Sequence, residues 1–186
     1  MTIRFALITW VISTIIALVS GAKMKRMAAP LHPRILDLEL AGTEKSASLL
    51  LADWKAENRK LATKILWLDY VFLLAYGAVG WSLCYMLGRL AGRFGWMKVA
   101  QLSPVAGWLF VVAASFDAIE NLGALAMIHS VNRSPKWRWP RLTKFCSLAK
   151  FASVLLAVQF FIVLIVRGWI GLIYMILRVV GPFLQI

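Results

Sequence analysis

Acidic residues are scarce in this chain, with eight Asp and Glu against 21 Lys and Arg, and the usual metal and redox residues are scarcer still. The two cysteines, Cys84 and Cys146, form no CxxC pair and cannot build a multi-bridge framework, which excludes a disulfide scaffold. Each is read as a small apolar core residue. The two histidines, His32 and His129, both fall outside the long apolar runs, which argues against a histidine-rich metal site. No HExxH helix, GxSxG elbow or Walker loop occurs. A hard cation such as Mg²⁺ on Asp and Glu oxygens is compatible with the residue types, but no metal site is assigned. Neither a catalytic residue nor a cofactor follows from these patterns.

What the chain has is apolar length. Its 186 residues are 61% hydrophobic with a mean hydropathy of +0.77, above the roughly 45–50% apolar content of soluble domains. The net charge of +13 could suit nucleic acid, yet the basic residues sit in short segments between apolar runs and show no interleaved binding motif. The charge is therefore topology signal, the expected partner is the lipid bilayer, and no nucleic-acid partner is expected. The fold class is all-α: a polytopic membrane helix bundle, with residues 1–186 as one membrane domain.

Four spanning runs are expected, over about 3–22, 65–88, 102–128 and 145–166. The first resembles a signal peptide with Ser20-Gly21-Ala22 as a small-residue cleavage site, but the charges behind it argue for retention. Nine basic residues lie between Gly21 and Lys64, and Arg133, Lys136, Arg138, Arg141 and Lys144 follow in a second loop. These fourteen face four on the other side, Arg4, Arg89, Arg93 and Lys98. The positive-inside rule then puts both loops in the cytoplasm and both termini outside it. Trp137 and Trp139 fit an inner aromatic belt, and this orientation keeps the Asn132-Arg133-Ser134 sequon from use. The apolar stretch 167–186 extends the fourth helix or lies at the interface, with a fifth span as the alternative.

The cytoplasmic segment 23–64 is amphipathic. Pro33 starts a short helix carrying Ile35 to Leu40, Ala41-Gly42 breaks it, and Thr43 caps a second helix with Glu44 on the positive end of its dipole. In that second helix Leu50, Trp54, Glu57 and Leu61 share one face, which suits a helix lying on the membrane surface and leading into the second span. Near the outer ends, Gly92, Gly95 and Pro104 read as breakers around a short loop.

Polar side chains at membrane depth set the functional question. Asp117 lies about 12 residues, or roughly 18 Å of helix, before His129. A carboxylate near the centre of a span costs about 2.5–3.5 kcal/mol on insertion scales, so it persists only with a partner or a task. Asp117, Glu120 and Asn121 stand at i, i+3 and i+4 and form one polar stripe. Asp69 and Tyr76 share a face of the second span, and Lys150 enters near the inner end of the fourth. Asp37 and Glu39, on the cytoplasmic segment, are within reach of the bundle opening. Three intramembrane carboxylates facing one lysine leave a formal excess of two negative charges. Protonation, a bound cation, a cationic ligand or loop basic residues must compensate it.

The run Ile35-Leu-Asp-Leu-Glu-Leu-Ala-Gly42, the Leu68-Asp69-Tyr70-Val71-Phe72 to Tyr76 face, the Asp117-Ala-Ile-Glu120-Asn121 stripe and Ala149-Lys150-Phe151 carry a resemblance. Over roughly residues 34–160 the chain resembles uncharacterised small bacterial four-helix integral membrane proteins. The resemblance implies a bacterial inner-membrane location and supplies no activity. Three readings of the polar cluster stand side by side. It binds or acts on a small amphiphile or ion; it belongs to a proton- or cation-linked carrier; or it is a register-fixing network, as in an accessory subunit with a membrane-complex partner.

Overall fold

The computed structural model describes residues 2–130 and 138–184. It is all-helical, with six helices in the order α1 Ile3–Ala28, α2 Ile35–Glu39, α3 Glu44–Ala52, α4 Ala56–Arg93, α5 Met97–His129 and α6 Arg138–Leu184. Among the described residues, α1, α4, α5 and α6 are long and apolar enough to cross a membrane. Arg133, Lys136, Trp137 and the Asn132-Arg133-Ser134 sequon lie outside the described residues.

Each long helix packs on the next, α1 on α4, α4 on α5 and α5 on α6. The α1 contact uses small residues seven apart: Ala6, Ser13 and Ser20 are buried, whereas Phe5, Ile8, Ile12 and Val19 are exposed to what would be lipid. With lipid as apolar as leucine, close approach of backbones is what holds such helices together. The α4–α5 seam shows the same logic at Gly80, where a β-carbon would fall inside the Phe110 ring.

All four long helices outrun the apolar stretches that reveal them. Hydropathy marks the part that faces lipid, whereas helical hydrogen bonding continues until something breaks it. Between α4 and α5 only residues 94–96 leave the helix, so the expected loop shrinks to one turn with Gly95 at φ +74°. Pro104 does not break α5. It cannot donate to the Ala100 carbonyl, and the Ser103 hydroxyl donates there instead, at 3.1 Å. α6 runs without interruption through Leu184.

The segment between α1 and α4 follows the expected caps more closely than the expected helix. Gly42 has φ +67°, and the Thr43 hydroxyl accepts from the Ser46 N–H at 3.2 Å to start α3. The continuous surface helix from Thr43 to Lys64 is not observed, because α3 ends at Ala52 and α4 begins at Ala56. The interruption lets Trp54 turn inward, bury itself and donate its indole N–H to the Pro33 carbonyl at 2.9 Å. An Arg59 guanidinium N–H donates to the Leu51 carbonyl at 3.0 Å, beside the Trp54 N–H, and ties the end of α3 to α4. Leu31, Leu38, Leu51 and Trp54 then form one apolar core with Leu66, Leu125 and Met127 from α4 and α5. This plug seats α2 against α5 and α6, over the polar cluster.

Candidate functional site

Helical phase on α5 brings Asp117, Glu120 and Asn121 to the same side, and α6 meets them with Lys150. The Lys150 ammonium donates to Asp117 Oδ1 at 2.8 Å and lies 3.0 Å from Glu120 Oε2. From α4, Asp69 accepts from the Asn121 amide, Nδ2 to Oδ2 2.6 Å. Glu120 and Asn121 are almost fully buried, whereas the side chains of Asp117 and Lys150 retain 15% and 14% exposure. Glu120 has ion-pair proximity to Lys150, but neither of its carboxylate oxygens sits in line for a hydrogen bond from it.

A fourth carboxylate arrives from outside the spans. Glu39, at the end of α2, is buried with its carboxyl against that of Glu120 and within the field of Lys150 and Asp117. Burial pushes its pKa up from 4.5 to about 9, the Glu120 carboxylate adds to the rise, and the Lys150 ammonium opposes it. At neutral pH Glu39 is thus a neutral acid whose O–H can donate to Glu120. Asp37 goes elsewhere: it is exposed, and its carboxylate accepts from the Arg34 N–H at 2.8 Å as a cap of α2.

These groups floor a cavity of about 640 Å³ between the C-terminal end of α1, the α2 segment and the faces of α4, α5 and α6. Glu39, Asp69, Asp117, Asn121 and Lys150 all line it. Tyr76 does not; it is half-buried with its ring 5.6 Å from that of Phe72. Four contributors are not singled out by the sequence. Tyr70 ties α4 to α5 by donating to the Ala118 carbonyl at 3.0 Å, and its position next to Asp69 is the signal for it. Lys25, His32 and Arg34 stand on the cavity rim, where the charge near Pro33 is the available signal. Among the described residues, no group of three His, Cys, Asp or Glu is arranged to hold a metal ion. Cys84 on α4 and Cys146 on α6 are both buried as free thiols.

Glu39 makes the docking of α2 pH-sensitive. Between pH 4.5 and about 9 the folded state holds a proton on Glu39 that the unfolded chain has released, so stability falls as pH rises through that window. The groups facing it are Glu120 and Asp117 of α5 and Lys150 of α6, with Asp69 of α4 and Lys25 of α1 on the same cavity. The thermal midpoint in detergent is expected to drop from pH 5.5 to pH 8.5, and Glu39→Gln should remove part of that slope. A slope unchanged in the Gln variant would show that Glu39 titrates normally.

No family model, curated protein or solved structure matches the chain.

Proposed function

We propose that this chain is a multi-pass protein of the bacterial inner membrane that binds a small amphiphile in the cavity at the cytoplasmic half of its bundle. The carboxylate–lysine cluster serves as the polar recognition element. The observation that carries this reading is the cavity itself. Its volume of about 640 Å³ is that of a ligand site, and apolar wall residues such as Met24, Leu31, Ile35 and Leu66 surround a few convergent polar groups. A cluster needed only to lock helices together gains nothing from leaving Asp117 and Lys150 open to a cavity.

The structural reading keeps one observation in its favour, the double engagement of Lys150 with Asp117 and Glu120 across α5 and α6. Photolabelling separates the two readings. A diazirine-bearing alkyl amine is expected to label Leu31 and Ile35 on the wall, in competition with unlabelled amine. Labelling confined to outward residues such as Leu18 and Leu74, 67% and 79% exposed, would leave only the structural role.

The orientation rests on the fourteen-to-four asymmetry of basic residues, which supports both termini outside the cytoplasm. Reporter fusions at Lys60 and Ser134 are expected to read cytoplasmic; an outward reading at either reverses the topology.

A further inference from the structure

The cavity is ordered by charge along its depth. Its exposed rim carries Lys25 from α1 and Arg34 from the turn before α2. Its floor carries Glu39, Asp69 and Asp117 beside the Lys150 ammonium, which already serves Asp117 and Glu120. Asp69 is met by the neutral Asn121 amide instead, and it lies within electrostatic range of Asp117. The inner end thus has carboxylate to spare, and the outer end has cation to spare.

We propose that the cavity takes the zwitterionic head group of an acyl-chain amphiphile, a phosphate ester of a primary amino alcohol. This rests on the amphiphile-binding reading above and names its ligand class. The phosphate sits against Lys25 and Arg34, the ammonium enters between Asp69 and Asp117, and the chain follows the apolar wall at Leu31 and Ile35. Two features select a primary ammonium over a quaternary one. Its three N–H donors match carboxylate acceptors. Among the described residues the lining also contains no Phe, Tyr or Trp to form the aromatic cage that a quaternary ammonium needs. A head group with phosphate alone would satisfy the rim and leave the acidic floor uncompensated.

The test uses the full-length protein in detergent with four probes: dihexanoyl phosphoethanolamine, dihexanoyl phosphocholine, dihexanoyl phosphatidic acid and chain-free phosphoethanolamine. The phosphoethanolamine lipid is expected to bind roughly tenfold more tightly than either other lipid and than the chain-free ester. Asp69→Asn should erase the preference over phosphatidic acid without weakening phosphatidic acid itself, and Arg34→Gln should weaken both lipids. Each variant is first shown to keep the wild-type thermal midpoint within a few degrees, and Asp69→Glu, which retains the charge, should retain the preference. Equal binding of phosphatidic acid or phosphocholine overturns the head-group assignment while leaving an amphiphile site. Equal binding of the chain-free ester points to a soluble solute and overturns the amphiphile assignment. Failure of every chain-bearing probe overturns the amphiphile reading beneath it.

Discussion

Replacing Lys150 with methionine is expected to destabilise the folded bundle by about 3–5 kcal/mol, the usual cost of breaking a buried ion pair by removing one partner. The loss leaves Asp117 and Glu120 together without their cation, and Glu120 is wholly buried. Because Lys150 serves two carboxylates, Glu120→Gln in the Lys150→Met background should recover part of the loss, and Asp117→Asn should recover more. Thermal unfolding in detergent measures each step. Single-variant effects that add to within about 0.5 kcal/mol would mean that the three groups are not coupled, contrary to their geometry. The rescued triple variant also distinguishes function from architecture. If the cluster recognises ligand, the variant folds but no longer takes up the alkyl amine; if it only fixes helix register, uptake is unaffected.

Trp54→Ala is the second large effect, at about 3–5 kcal/mol. Trp54 is the largest side chain in the plug under the bundle, and it links the segment before α2 to the junction of α3 and α4. Its loss should free the α2 segment and with it the seat of Glu39 over the cavity. Limited trypsin digestion is expected to cut faster at Lys45 and Lys55, with the spans left intact. Trp54→Phe removes the hydrogen bond to Pro33 and part of the ring volume but keeps an aromatic side chain in the plug, and it should cost less, about 1–3 kcal/mol. Digestion rates for Trp54→Ala equal to those of the intact protein would show that other contacts hold the segment.

Composition and periodicity determined the all-helical class, the four long apolar helices and the position of the short α2, because these depend on residue type and near-neighbour spacing alone. The caps at Thr43 and the turn at Gly42 were equally legible, since a cap is a local hydrogen bond and a positive φ a local steric preference. Helical phase also grouped Asp117 with Glu120 and Asn121, and depth put Lys150 level with them. The tertiary structure decided what spacing cannot express. Glu39, two residues after an exposed Asp37, turns inward because Leu38 and Trp54 pin α2 against α5 and α6. Tyr76 shares the face of Asp69 yet packs on Phe72, while Tyr70, off that face, reaches Ala118 because α5 crosses there. Local patterns specify which way a side chain leaves its own helix; what it then meets is set by neighbouring helices whose approach depends on small residues such as Gly80 and Ser20, outside the polar cluster itself.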